Sequence, residues 1–232
     1  MTPEQDNAPR RSAIEELDRD PSSRKRFLTA LGGTGAVAAF GVVLAACGSD
    51  SKSSSSGSTT PAAAPKSTSG TDMFGKGDLG ILGYALTLEY LETDFYEQAA
   101  ASGKLSGEVA KVAKDFGEEE AEHVVALEAA IKKAGGKLPA KPRGKFPLKD
   151  QKSILELAAT VENLGSAAYL GQAPLIKDKE VLAAALSIHS VEARHAAILG
   201  QVTGGKVSPD GAFPAPADAQ TVLEKVKPFI AS

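Results

Sequence analysis

The chain has 232 residues, but it contains no tryptophan, three histidines and a single cysteine, Cys47. One cysteine excludes a disulfide within the chain. It also excludes an iron–thiolate electron-transfer site built from this chain alone, since such sites need several cysteine ligands. The formal net charge is −3, which does not favour nucleic-acid binding. Aromatic residues make up only 5% of the chain, whereas the good helix formers Ala, Leu, Glu and Lys are abundant. The composition therefore favours an all-α protein.

Residues 1–46 predict an export signal. The stretch "SSRKRFL" (22–28) leads into an apolar run from Phe27 to Ala46, and "LAAC" (44–47) ends that run. "SRKRFL" resembles the twin-arginine export motif, with Lys25 in the place of the second arginine, and "LAAC" resembles a lipobox. We therefore expect an exported protein of the cell envelope, anchored through a lipid on Cys47 to the outer face of the cytoplasmic membrane. The alternative is a transmembrane anchor, because the run is about as long as a bilayer requires.

Residues 47–76 predict a flexible linker. From 48 to 71 the chain consists largely of Ser, Thr, Gly, Ala, Pro and Lys. Such a composition cannot bury enough apolar surface to fold. We expect this segment to tether the following domain to the membrane.

Four helical segments are predicted within residues 77–203. Apolar periodicity and stop signals place them at about 78–102, 106–134, 150–171 and 177–200, with Asp150 or Ser153 as the cap of the third. The remaining tail, 204–232, contains the amphipathic segment "DAQTVLEKVKPFI", which predicts a short C-terminal helix.

The connections between the helices differ in length, and this difference predicts the topology. A few residues join the first two helices, so these should be antiparallel neighbours. The stretch "GGKLPAKPRGKFPLKD" (135–150) joins the second helix to the third. Fully extended it would span about 50 Å, whereas a 20-residue helix is about 30 Å long. A four-helix bundle with one long crossover is therefore expected, and an irregular loop at one end is the alternative.

The two halves of the helical region resemble each other. "ALTLEYLETDFY" (85–96) aligns with "AATVENLGSAAY" (158–169) at an offset of 73 residues, and "EAEHVVAL" (120–127) aligns with "EARHAAIL" (192–199) at an offset of 72. Matching positions hold Glu89 and Glu162, and the two Glu-x-x-His pairs also coincide. The region therefore looks like two copies of one helical hairpin.

The repeated residues are suited to binding metal ions. Residues three apart share one face of a helix, so each Glu-x-x-His pair can direct a carboxylate and an imidazole at one ion. Carboxylate oxygens suit Fe and Mn, imidazole also suits iron, and several carboxylates can offset the charge of two cations. We expect two Fe or Mn ions, with Fe favoured. The predicted ligands are Glu89, Glu120, His123, Glu162, Glu192 and His195.

Other acidic residues in these helices have a simpler interpretation. Glu118 and Glu119 fit an exposed acidic face, which is the usual explanation of a charge run. Glu92 is a rival to Glu89 because it lies on nearly the same face of the first helix. The repeat favours Glu89, since Glu92 aligns with Gly165.

Three further residues are candidates for contacts with the ligands. Tyr96 and Tyr169 each follow a matched glutamate by seven residues, so they are either core aromatics or hydrogen-bond donors to a ligating carboxylate. His189 lies three residues before Glu192 and could support a ligand. It has no counterpart in the repeat.

The motifs "ALTLEYLETDFY", "EEEAEHVVALEAAI", "VENLGSAAYLGQAP" and "SIHSVEARHAAIL" together resemble the ferritin-like domain family that includes desiccation-related proteins. The resemblance covers about 78–200. It implies a ferritin-like bundle and a carboxylate-bridged dinuclear site formed by the six residues named above. It does not imply one settled activity, although some members are linked to stress or desiccation.

Two functions follow as hypotheses. The first is an exported oxidoreductase with ferroxidase, peroxidase or catalase-like activity, which would need an external electron donor. The second is a non-catalytic ferritin-like envelope or stress protein with a structural or lost metal site. Metal storage is disfavoured because a tethered bundle is poorly placed to close into a cage. The sequence does not determine the oligomeric state.

Overall fold

The computed structural model of the protein describes residues 70–231. The predicted export signal, Cys47 and the linker up to residue 69 lie outside the described residues. Within the described part, no helix is both long enough and apolar enough to cross a membrane.

Five α-helices and two short 3₁₀ turns form the described part of the chain, and no β-strand occurs in residues 70–231. The four long helices begin and end within two residues of the predicted positions. α5 lies inside the amphipathic segment of the tail. The helices are α1 (Asp78–Ala101), α2 (Gly107–Lys133), α3 (Gln151–Gln172), α4 (Lys179–Val202) and α5 (Ala219–Val226), and the 3₁₀ turns are Ala173–Leu175 and Lys227–Phe229.

Aspartate caps fix where the last three helices begin. Asp150 accepts a hydrogen bond from the backbone N–H of Ser153, and the Ser153 hydroxyl accepts from the backbone N–H of Asp150. Both residues named as alternative caps of α3 therefore take part, in one reciprocal capping box. Asp178 and Asp218 cap α4 and α5 in the same general way.

The connection between α2 and α3 crosses the length of the bundle along α1. Near its start, Leu138 packs in the same cluster as Ile81 at the beginning of α1. Further along, the Gly144 N–H donates to Asp94 at 2.5 Å, and near its end the Leu148 carbonyl accepts from Lys104, just beyond α1. The crossover prediction is confirmed, and the alternative of a loop at one end is wrong. α3 therefore runs parallel to α2.

α1 is the central helix, and every residue from Gly80 to Thr93 is buried. α2 and α3 cover part of it, and the crossover covers another part. The turn at 70–77 packs on its first half, where the rings of Phe74 and Tyr84 are 6.2 Å apart. The last residues of the predicted linker, 70–76, thus pack against the bundle, because Phe74 and Thr71 bury their side chains there.

The tail closes the remaining side of the bundle. α5 packs against Tyr84 and Leu88 of α1 and Ala168 of α3. Beyond α5, the Lys145 N–H of the crossover donates to the Phe229 carbonyl at 2.7 Å, and the Ala231 N–H donates to the Arg143 carbonyl at 2.8 Å. The tail and the crossover therefore hold each other in place beside α1.

Candidate metal centre

A cluster of acidic and histidine side chains lies between the two apolar ends of the bundle. One apolar layer contains Leu86 and Ile131, and the other contains Phe95 and Phe116. Four glutamates of the cluster, one from each long helix, have 0% exposure. These glutamates are Glu89, Glu120, Glu162 and Glu192, and the two histidines are His123 and His195.

His123 lies at the centre of the first group of donor atoms. Its Nδ1 is 2.9 Å from Oε2 of Glu120, 3.3 Å from Oε2 of Glu89 and 3.4 Å from Oε1 of Glu192. One donor atom from each of these four residues lies within 4.8 Å of the others. This spacing allows a single ion to contact all four.

His195 forms the second group from the opposite hairpin. Its Nδ1 is 2.9 Å from Oε1 of Glu120 and 3.3 Å from Oε2 of Glu162, and the three donors again lie within 4.8 Å of one another. Glu120 thus belongs to both groups, with one carboxylate oxygen facing each histidine. The two donor groups are therefore contiguous through Glu120.

The hydrogen bonding of the cluster is compatible with metal binding. Several of its buried donor atoms have no hydrogen-bond partner within residues 70–231: Oε1 of Glu120, Oε2 of Glu162, both oxygens of Glu192 and Nδ1 of His195. The 2.9 Å approach of His195 to Glu120 therefore lacks hydrogen-bond geometry. Buried polar atoms without partners are costly. Metal coordination would satisfy them, and this mixture of carboxylate and imidazole suits Fe or Mn.

The electrostatics of the metal-free cluster also favour cations. Burial, reinforced by the other carboxylates, raises the pKa of Glu192 well above its usual range and the pKa of Glu89 to about 7. Burial also acts to raise the pKa of Glu120, but the two histidines that face its carboxylate oxygens outweigh burial and lower this pKa to about 2. Burial opposes protonation of His195, yet Glu120 and Glu162 raise its pKa to about 10. Four carboxylates thus outnumber the two histidines, and added positive charge would balance them.

Two tyrosines connect the hairpins through hydrogen bonds to the glutamates. The Tyr96 hydroxyl on α1 donates to Oε1 of Glu162 on α3, and the Tyr169 hydroxyl on α3 donates to Oε1 of Glu89 on α1. Burial and the neighbouring carboxylates raise the pKa of both tyrosines, so both remain donors. The two tyrosines are thus buried core aromatics and also hydrogen-bond donors to glutamates of the cluster.

His195 is fixed on its outer side by two residues of α2. Its Nε2 is 2.6 Å from Oε2 of Glu119, and its ring stacks on Phe116 with a centroid separation of 3.8 Å. A carboxylate on the outer nitrogen fixes the tautomer of a ligating histidine and strengthens it as a ligand. Glu119 lies on the exposed face of α2 as expected, with its side chain 55% exposed, but its contact with His195 was not predicted from the sequence. Glu118 does pair with Lys114 at the surface, as expected.

His189 has a different setting from the predicted ligands. Its Nδ1 is 3.0 Å from the carbonyl oxygen of Ser166 on α3 and 3.4 Å from the Ser166 hydroxyl. The hydrogen-bonding contacts of its Nδ1 thus go to α3 and not to the carboxylates of the cluster.

Glu92 lies at the cluster together with Glu89. It is 3% exposed, and the neighbouring charges that act on it belong to the four cluster glutamates. The repeat favoured one of the two residues, whereas the fold buries both. The only sequence signal for this outcome was the spacing of three residues, which places both carboxylates on one face of α1.

An apolar cavity of about 120 Å³ adjoins the second donor group. Residues of all four long helices line it, including Ala99, Ala113, Ala158 and Leu199. Tyr96 and Phe116 form part of its wall, and these same side chains contact Glu162 and His195. Only one layer of side chains therefore separates the cavity from the cluster.

The sequence of residues 77–205 matches the family described as the ferritin-like domain. The four-helix bundle with its crossover agrees with this match, and so do the two donor groups. The chain is therefore of the ferritin-like class. The protein belongs to the ferritin-like domain family.

Solved structures that are similar to this chain include two hypothetical proteins. The first is a conserved hypothetical protein, rv2844, from Mycobacterium tuberculosis, at 18% sequence identity and a TM-score of 0.51, covering 60% of this chain and 94% of that one. The second is the hypothetical protein MJ0754 from Methanococcus jannaschii, at 16% identity and a TM-score of 0.48, covering 64% and 91%. The first likeness supports the fold alone. No curated protein matches the chain.

Proposed function

We propose that this protein holds two Fe or Mn ions, with Fe favoured, and that it performs redox chemistry in the cell envelope during oxidative or desiccation stress. The observation that carries the proposal is the sharing of Glu120 between two donor groups. The first ion would be held by Glu89, Glu120, His123 and Glu192, and the second by Glu120, Glu162 and His195. Such a pair of ions supplies one-electron steps between the M(II) and M(III) states, with dioxygen or peroxide as the electron acceptor.

The residues around the ligands would prepare the centre for this chemistry. Tyr96 and Tyr169 hold the outer oxygens of Glu162 and Glu89, which leaves the other oxygens directed at the cluster. Glu119 and Phe116 fix the ring of His195. The apolar cavity offers a small apolar oxidant such as dioxygen a place beside the centre.

Ferroxidase, peroxidase and catalase-like reactions all remain open to this centre. Cys47 is the only thiol of the chain, so the chain alone cannot form an iron–thiolate site that would reduce the metal ions. Any electrons that the substrate does not supply would come from an external donor. The test is the oxidation of Fe(II) in air and the decomposition of peroxide by purified protein, compared with a Glu120→Gln His123→Ala variant. The wild type should be faster than the variant in at least one of these two reactions. Equal rates in both would contradict an enzymatic role.

A non-catalytic function is the second candidate, favoured by the complete burial of the four glutamates. A metal enclosed in this way could serve to hold the hairpins together, as structural metals do. In that case metal removal would lower Tm. The wild type would oxidise Fe(II) and decompose peroxide no faster than the Glu120→Gln His123→Ala variant. Measuring both properties on the same preparation distinguishes the two functions.

We also propose that the protein is exported and anchored through a lipid on Cys47. The support is the sequence "LAAC" after an apolar run. The Cys47→Ser variant should lose the lipid and leave the membrane fraction. Replacing Arg24 and Lys25 together tests the twin-arginine route, and unchanged export would contradict it.

A further inference from the structure

Glu92 is an acid that is buried beside other acids. The residue is only 3% exposed, and its Oε2 has no hydrogen-bond partner in the described part of the chain. The charges that act on it most strongly are those of Glu192, Glu89, Glu120 and Glu162. All four are carboxylates, so burying Glu92 beside them is unfavourable unless a cation lies among them.

Gly165 on α3 makes the room that Glu92 occupies. A Cβ at this position would be 2.7 Å from Oε1 of Glu92 and also 2.7 Å from Oε2 of Glu192. Such distances are too short for a methyl group, so any larger residue would displace one of the two carboxylates. Oε1 of Glu92 and Oε2 of Glu192 are therefore separated by no more than twice 2.7 Å. Glu92 thus lies beside Glu192, a donor of the group around His123.

The internal repeat shows that this arrangement is specific to one half of the bundle. Glu92 and Gly165 occupy equivalent positions in the two hairpins. The first hairpin supplies an acid where the second supplies space for it. The six repeated ligands are related by the repeat, whereas Glu92 has no counterpart.

Glu92 lies outside the donor atoms that are within 4.8 Å of one another, but it borders Glu192, which belongs to them. We propose that Glu92 joins Glu89, His123 and Glu192 as a seventh protein ligand when metal binds, and that it makes the two positions unequal. This inference rests on the proposed dinuclear centre. Four carboxylates already balance two divalent ions, so a fifth carboxylate adds negative charge that favours a more highly charged ion. The position beside His123 would bind the first equivalent of metal more tightly than the position beside His195.

The experiment is a metal titration of metal-free protein without oxygen. Mn(II) and Co(II) are added in turn to the wild type and to Glu92→Gln, and binding is followed by calorimetry and by the visible absorption of bound Co(II). The wild type should show two unequal sites. Glu92→Gln should keep two sites but weaken the tighter one by about 10- to 100-fold, the range seen when groups that support a metal site are removed.

Two further variants separate a ligand from a structural residue. Gly165→Ala keeps the charge of Glu92 but places a methyl group against the carboxylates of both Glu92 and Glu192, and it should weaken the same site. Glu97→Gln removes an exposed glutamate of the same helix, and it should bind as the wild type does. Glu92→Gln should also raise the Tm of the metal-free protein, because it removes a buried acid that lacks a partner.

The outcomes distinguish this inference from the proposed function. Two sites in the wild type with affinities that Glu92→Gln leaves unchanged would overturn the role of Glu92 and leave the dinuclear centre standing. A wild type that binds neither metal would overturn the dinuclear centre and this inference with it. A changed Co(II) spectrum in Glu92→Gln, together with loss of the tighter site, would support a direct ligand.

Discussion

Oε2 of Glu119 on α2 lies 2.6 Å from Nε2 of His195 on α4. This contact joins the two hairpins and directs Nδ1 of His195 towards Glu120 and Glu162. It predicts that Glu119→Gln weakens metal binding by about 10- to 100-fold, because the amide no longer strengthens the imidazole as a ligand. The affinity is measured by titration of metal-free protein.

Glu118→Gln is the matched control for this prediction. Glu118 is the preceding residue of α2, and it pairs with exposed Lys114 at the surface. Its replacement should leave metal affinity unchanged. If both variants bind metal equally well, Glu119 does not position His195.

The reciprocal tyrosine contacts predict matched effects in the two hairpins. Tyr96→Phe and Tyr169→Phe each remove one hydrogen bond to a buried glutamate. Each should lower the unfolding free energy of the protein by about 1.5–3 kcal/mol, the range for hydrogen bonds to charged groups. Denaturant unfolding of the two variants and of their combination measures this. A large loss in one variant and none in the other would contradict equivalent roles.

Metal binding should depend on pH in a defined direction. Burial raises the pKa of Glu89 to about 7, and the carboxylates around His195 raise its pKa to about 10. Both groups therefore hold protons near pH 6 in the metal-free protein, and metal must displace them. Affinity should increase between pH 5 and pH 8, with protons released on binding. Calorimetry in buffers of different ionisation enthalpy counts these protons.

The stability of the metal-free protein should change in the opposite direction. Because the folded pKa of Glu89 exceeds its ordinary value of 4.5, its contribution to stability is complete below pH 4.5 and is lost as pH rises through about 7. His195 adds a loss in the same direction, from its ordinary value of 6.5 up to about 10. Bound metal replaces the displaced protons, so the gain in Tm on metal addition should widen from pH 5 to pH 8. A constant gain would contradict these shifts.

The apolar cavity predicts a variant with normal metal content and altered use of dioxygen. Ala113→Leu adds apolar volume to a wall of the cavity without touching a ligand. Fe(II) oxidation by this variant should require more dioxygen to reach the wild-type rate. Ala121→Leu, at an exposed position of the same helix, is the control. Equal dependence on dioxygen in both variants would show that the cavity does not serve the centre.

The sequence predicted the four long helices and the six clustered residues because both depend on regular spacing. Apolar periodicity defined the helices, and the repeat matched Glu89 with Glu162 and His123 with His195. The fold then places these residues on four helices facing one another. The crossover was also predictable, because its length exceeds that of the helices it has to pass.

The contacts that distinguish the two halves were not predictable from the sequence. Glu119 reaches His195 across a helix–helix interface, and a single acid beside other acids gives no sign of such a contact. Glu92 depends on the absence of a side chain at Gly165 of another helix. The first depends on how α2 packs on α4 and the second on how α1 packs on α3, whereas the repeat records only what the two hairpins have in common.

The most direct test of the central claim is metal analysis of the protein purified from its native host. We expect about two Fe or Mn ions per chain in the wild type, since two donor groups are present. Glu120→Gln should retain fewer than one, because Glu120 belongs to both groups, and a Glu192→Gln His195→Ala variant should also lose metal. A wild type without Fe or Mn, or equal metal content in all three proteins, would contradict the dinuclear centre.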